Sequence, residues 1–328
     1  MRFLFLLVFW VQTIELLAQH PVFDAANTGM GLASHGLLDK LSKEPITTSF
    51  ADCDTSRFLS DTFGDTVSCA NLFDQPRTIK GDFMLCAGFY KASVMSFCIR
   101  PGTYGPSHGD AYLYAPLKGP RADLMIKILE RWKDKPELTQ QQIQSLFWAI
   151  IAKARFSEMN PQMQHVAVSL LTAKELVEIG GGGLNVIPRP VMENLLLKLP
   201  EGLRDIYRSE NLLREAFSLP NSTFEQLERI AMRPGAAQVS SQFQRGRWTY
   251  HPSGCYVRYL PEHYSKTALQ IYVPEQDPST PEPPIPIGTF TIPDCKIIIF
   301  NAIGTVAVPA NTGAQRLLQT HFPIVSKN

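Results

Sequence analysis

The stretch Thr139-Gln140-Gln141-Gln142-Ile143-Gln144-Ser145-Leu146-Phe147-Trp148-Ala149-Ile150-Ile151-Ala152 decides how this chain reads. It opens on a capping box, with the Thr139 hydroxyl set to accept from the backbone three residues on and the Gln142 side chain set to reach back. Behind that start, Leu146 to Ala152 is apolar on nearly every face, so the helix belongs inside a core rather than on a surface. Gln144 conflicts with that setting. It shares a face with Trp148, one turn on, and burying a carboxamide without partners costs ~1–3 kcal/mol. Gln144 must be hydrogen-bonded there, or it must react.

Toward the N-terminus, Asp82 to Arg100 alternates and is rich in Phe, Val and Met. With Lys91-Ala92-Ser93 at its middle it reads as a β-hairpin, and Cys98 sits near the end of the second strand. A turn-rich passage follows from Pro101 to Asp110, then a short tyrosine-bearing strand from Ala111 to Leu117. From Arg121 to Lys133, Leu124, Ile128 and Leu129 mark one face of a helix. Cys98 and Gln144 are 46 residues apart, a separation compatible with a strand and a buried helix meeting in one core.

Further helical patterns run from Gln162 to Ile179, Val191 to Leu199 and Leu203 to Phe217, and from Thr223 to Met232 behind a Ser222–Glu225 capping box. The glycine run from Gly180 to Gly183 reads as a hinge. No Lys-Ser/Thr follows it, so it is a poor phosphate loop. Strand-like segments then appear at Arg247 to Tyr250, Cys255 to Tyr259, Ala268 to Val273 and Lys296 to Phe300, and Pro274 to Pro286 holds six prolines in an extended connection. The expected fold is α+β. A β-rich core with buried helices covers residues 49–179, a helical segment 180–235, a small β-rich module with its proline-rich linker 236–312, and a tail 313–328.

The chain has 328 residues, 45% of them apolar, with Lys+Arg 31 against Asp+Glu 30. This excludes disorder throughout and leaves no electrostatic footprint for nucleic acid or anionic membrane. The basic run from Arg121 to Lys135 is a solvated helix face. Met1-Arg2, the apolar stretch Phe3 to Val11 and Leu16-Leu17-Ala18 read as a signal peptide over residues 1–18, with the mature chain beginning at Gln19 and an N-terminal segment over 19–48. Polar residues at Gln12, Thr13 and Glu15 leave that run short of the ~20 residues a bilayer span needs. No later segment reads as a membrane span, and release or retention at the surface stays open.

Export lets the six cysteines form disulfides. In sequence order they couple as Cys53 with Cys69, Cys86 with Cys98, and Cys255 with Cys295. A Cys53–Cys69 bridge would stabilise a short polar loop by roughly 3 kcal/mol on a chain-entropy account. Cys86 and Cys98 flank the expected turn symmetrically, so a cross-strand disulfide is one fate for Cys98.

The other fate is condensation with Gln144. A thiol held against a side-chain carbonyl forms a thioester with loss of ammonia, and such positioning can be worth an effective molarity of ~10⁵ M or more. Water must be excluded, and Phe97, Phe147 and Trp148 supply apolar bulk beside both groups in sequence. Cys86, preceded by Leu85, is the fallback partner. His108 can be read as a proton shuttle for Cys98, or with Asp110 as a turn cap; as a metal site the lone His-x-Asp has no third ligand at suitable spacing. A papain-like peptidase is disfavoured, because Cys98 ends a strand rather than opening a helix whose dipole would lower its pKa. The Asn221-Ser222-Thr223 sequon reads as a helix cap. No pattern points to a cofactor.

At these residues the chain resembles the thioester domains of bacterial surface adhesins. That family places an aromatic or aliphatic residue before its cysteine, here Phe97-Cys98. Its glutamine lies in the order apolar, Gln, any, any, apolar, apolar, here Ile143-Gln144-Ser145-Leu146-Phe147-Trp148. The resemblance covers roughly Asp82 to Ile179. It implies a β-rich core with associated helices, an internal Cys98–Gln144 thioester, and covalent capture of a lysine amine or hydroxyl on a protein or glycan surface. That is single-turnover acyl transfer rather than enzyme turnover. The whole chain also resembles a type of secreted bacterial protein with a Gln-initiated mature terminus, a likeness that implies no activity. Two functions are therefore expected: a covalently reactive secreted or cell-surface protein, or a non-reactive secreted or envelope protein with a Cys86–Cys98 disulfide.

Overall fold

The computed structural model describes residues 44–179, 197, 200–239, 243–275 and 295–324. The signal peptide, the start at Gln19, the glycine run, nearly all of the Val191 to Leu199 helix and most of the proline-rich connection lie outside those residues. Thirteen strands are described. In chain order the first six are β1 (Phe58–Leu59), β2 (Ala70–Asn71), β3 (Phe83–Leu85), β4 (Gly88–Cys98), β5 (Thr103–Tyr104) and β6 (Tyr112–Pro116). After the helices come β7 (Met232–Arg233), β8 (Trp248–His251), β9 (Cys255–His263), β10 (Lys266–Val273), β11 (Ile298–Phe300), β12 (Thr305–Pro309) and β13 (Leu317–Pro323). Six α-helices are described: α1 (Ala122–Trp132), α2 (Gln140–Ile151), α3 (Pro161–Leu170), α4 (Ala173–Ile179), α5 (Glu201–Ser218) and α6 (Phe224–Ala231). The fold is α+β, as the periodicities predict.

The strand that carries Cys98 departs from expectation. Gly88 to Cys98 is one continuous strand, not half of a hairpin: Lys91, Ala92 and Ser93 stay extended and face Gln270, Leu269 and Ala268 of β10. Lys91 and Ser93 are exposed and Ala92 is buried, the ordinary alternation of a strand, and the trio holds no Gly, Pro or Asn to favour a reversal. β3 pairs with β11 instead.

One nine-stranded sheet runs β1-β8-β9-β10-β4-β13-β12-β6, with β2 added parallel to β4. The C-terminal strands are therefore not a separate β-module, since β8 to β10 continue the sheet on one side of β4. Nor is 313–328 a tail, because Leu317–Pro323 is β13, hydrogen-bonded between β4 and β12.

The cysteine couples also change. Cys86 is bonded to Cys295, with Cα atoms 5.6 Å apart. β3 and β11 pair Leu85 with Ile298 and so carry the two cysteines to each other. The structure thus pairs Cys86 with Cys295 in place of the expected Cys86–Cys98 and Cys255–Cys295 bridges, and it places Cys98 rather than Cys86 against Gln144. Cys98 and Cys255 are buried free thiols, and no bond joins Cys53 to Cys69.

Helix α2 is the centre of the helical layer and packs against α3, α5, α6 and β4. Its start is the expected box: the Thr139 hydroxyl accepts from Gln142 N, and Gln142 Oε1 accepts from Thr139 N at 2.8 Å. Every residue from Ile143 to Ala152 is buried. The expected helix from Gln162 to Ile179 is broken into α3 and α4, because Leu171 is extended and a Thr172–Glu175 box starts a new helix. α6 is capped by Thr223 and Gln226, one residue later than expected. Past Cys98 the chain turns at Gly102, whose φ is +81°; a Cβ there would lie 2.7 Å from the Ile206 Cα, so only glycine lets this turn rest on α5.

Candidate functional site

Cys98 is the last residue of β4, at the point where the strand loses one neighbour. β10 accompanies β4 only as far as Met95 opposite Lys266, while β13 continues to Cys98 on the other side, with Leu317 opposite. The edge left bare is covered by α2. Gln140 Nε2 donates to Ser96 O at 3.1 Å and to Ser265 O at 2.7 Å. One turn on, Gln144 Oε1 accepts from Cys98 N at 2.8 Å while Gln144 Nε2 donates to Cys98 O at 2.9 Å. The helix thus supplies through two glutamines the hydrogen bonds that a further strand would supply, and the Gln144 carboxamide is fixed to the residue that carries the thiol.

Both residues are sealed from solvent, with Cys98 at 0% exposure and Gln144 at 1%. Around them Phe97 meets Phe147 edge-on at 5.1 Å between centroids and Trp132 at 5.7 Å. Trp148 stacks on Phe224 of α6 at 5.7 Å and lies 6.0 Å from Tyr264. Burial pushes the Cys98 thiol up to about 12, partly opposed by the Arg100 backbone N–H and by the Trp148 indole, which has no nitrogen or oxygen partner among the described residues. The thiol is neutral at physiological pH. Two phenols are also held protonated by burial close to it: Tyr112, which donates to Gln315 O at 3.2 Å, and Tyr264, which donates to Glu228.

Of the sequence-predicted site residues, Cys98 and Gln144 come together and His108 does not. His108 is exposed in the turn after β5, whereas Cys98 is fully buried, and no hydrogen bond among the described residues joins the two. Asp110 is buried and caps that turn, its Oδ2 accepting from Ser107 N at 2.6 Å. Sequence reasoning missed Gln140, Tyr112, Tyr264 and Glu228. Gln140 carried a signal, because it, Gln144 and Trp148 lie at four-residue steps on one face. The other three are brought in by strands and helices far apart in sequence.

Chemically, the cluster offers a neutral thiol, a carboxamide with fixed orientation, a backbone N–H already on the carboxamide oxygen, and an apolar enclosure. Among the described residues no group of three or more His, Cys, Asp or Glu side chains could hold a metal ion. No protein family, curated protein or solved structure matches this chain.

Proposed function

We propose that the protein is exported and captures a nucleophile on a target surface covalently, through a thioester between Cys98 and Gln144. The observation that carries this reading is the double hydrogen bond from the Gln144 carboxamide to the Cys98 backbone, inside an aromatic cluster closed to bulk solvent. The Cys98 sulfur attacks Gln144 Cδ, the thiol proton goes to the departing nitrogen, and ammonia leaves. The Cys98 N–H on Oε1 stabilises charge on that oxygen as the tetrahedral intermediate forms. An amine then attacks the same carbon, giving an amide on Gln144 and returning the Cys98 thiol.

Export is supported by the signal-like N-terminus together with the Cys86–Cys295 disulfide, a bond favoured in oxidising compartments. Among the described residues no helix is long and apolar enough to cross a membrane. The test is intact mass followed by methylamine. The native protein is expected to lack one ammonia beyond any lost by cyclisation of an N-terminal Gln19, a loss that Cys98→Ala shares, and to take up methylamine at Gln144, which Cys98→Ala is expected not to do. A full-mass native chain that ignores methylamine refutes the proposal.

One observation favours the second reading, a non-reactive secreted or envelope protein. Both polar atoms of the Gln144 side chain are already satisfied by backbone, which is a sufficient structural reason for a buried glutamine at this sheet edge. The same mass measurement separates the two.

A further inference from the structure

Helix α6 covers the Trp148 side of the Cys98–Gln144 pair. Phe224, at its start, covers Trp148, and Glu228, one turn on, accepts the hydrogen bond of Tyr264. Tyr264 is 2% exposed and sits in the β9–β10 turn, tied to the Cys98 strand by Ser96 Oγ, which donates to Tyr264 O at 2.9 Å. Glu228 is only half-buried. Its outer side lines a cleft of about 540 Å³ between α6 and the turn after β5, where Gly105 and Ser107 face Glu225, Glu228, Arg229 and Met232. A second cleft of about 590 Å³ flanks α6 on its α5 side, so this short helix has open space on two sides. A chain of contacts therefore links the cleft, through Glu228 and Tyr264, to Trp148 beside Cys98.

We propose that this cleft admits the primary amine of the target and that Glu228 takes the proton from the incoming ammonium, with Tyr264 positioning the carboxylate. The inference rests on the thioester reading. In the step, R–NH3+ gives one proton to the Glu228 carboxylate. The free amine attacks Gln144 Cδ, and the C–N bond forms as the C–S bond breaks. The second nitrogen proton moves to the departing Cys98 sulfur, and Glu228 returns its proton to solvent through the cleft. Burial makes a bare Cys98 thiolate a poor leaving group, which is why the sulfur must leave with a proton.

The experiment uses the full mature chain with methylamine, a cation at neutral pH, and hydroxylamine, which is largely neutral there. Glu228→Gln still accepts from Tyr264, so folding and the missing ammonia are expected to persist. Its methylamine uptake is expected to fall by about 10²-fold, the usual worth of a general base, while hydroxylamine uptake changes far less. Tyr264→Phe frees Glu228 without removing it; a smaller methylamine-selective loss is expected, and this variant carries the test where Glu228→Gln does not fold. Wild-type methylamine rates in both variants, or equal losses for both nucleophiles, overturn the role of Glu228 while the thioester stands. A native chain with no ammonia missing overturns the thioester, and this inference with it.

Discussion

Truncating Gln144 and truncating Cys98 remove the same proposed bond but different parts of the structure, so their stabilities should separate. Gln144→Ala strands the Cys98 N–H and C=O, which have Gln144 as partner at 2.8 and 2.9 Å in a site where Gln144 is 1% exposed. Each stranded buried group costs ~1–3 kcal/mol, so the pair costs roughly 2–6 kcal/mol. Cys98→Ala leaves both hydrogen bonds in place and deletes one buried sulfur, a loss of about 1 kcal/mol by analogy with small core truncations. Any stabilisation from the thioester cancels in the comparison, because both variants lack it. The difference of about 1–5 kcal/mol, at ~2–4 °C of Tm per kcal/mol for domains of this general size, means that Gln144→Ala should melt roughly 2–20 °C below Cys98→Ala. Calorimetry and urea unfolding of the two variants side by side provide the assay. Equal midpoints, or a more stable Gln144→Ala, would refute the argument that α2 completes the edge of β4.

Two other expectations follow from the same geometry. Peptide mapping under non-reducing conditions should recover Cys86 linked to Cys295, and Cys86→Ser should lower stability by about 2–5 kcal/mol, as loss of a disulfide closing a long loop does; a Cys86–Cys98 peptide would contradict the β3–β11 pairing. Glu210 on α5 is buried, and burial, with Glu44 nearby, raises its carboxyl to about 7 against opposition from Lys153. A raised folded pKa adds stability that is complete below the unfolded value near 4.5 and is lost as pH climbs through 7, so the wild type should lose of order 3 kcal/mol between pH 4.5 and 8. Glu210→Gln should flatten that slope in pH-dependent unfolding, and an unchanged slope would exclude Glu210 as its source.

What the sequence disclosed was local. The Thr139–Gln142 box, the buried run to Ala152 and the position of Cys98 at a strand end depend on neighbours within a few residues, and each appears in the structure. The Thr172–Glu175 box that divides α3 from α4 is equally local, but the apolar periodicity runs straight through it and masks the break. Pairing choices were not legible. Cys86 meets Cys295 across 209 residues because β3 selects β11, and β13 lies beside Cys98 because the chain returns to the middle of the sheet at its end. Tyr264 and Glu228 likewise have no mark in the sequence; a β-turn and α6 bring them over Trp148.

The most direct test of the central claim is the intact mass of the exported protein, measured before and after denaturation, with the Cys98 peptide sequenced. The thioester account expects a native mass one ammonia below that of the encoded mature chain with its Cys86–Cys295 disulfide, after subtraction of any ammonia lost by cyclisation of Gln19 as read from the N-terminal peptide, and a Cys98 that resists alkylation after unfolding until an amine or base opens the bond. A full mass with Cys98 alkylated at once on unfolding would contradict the account and leave Gln144 as a structural clamp.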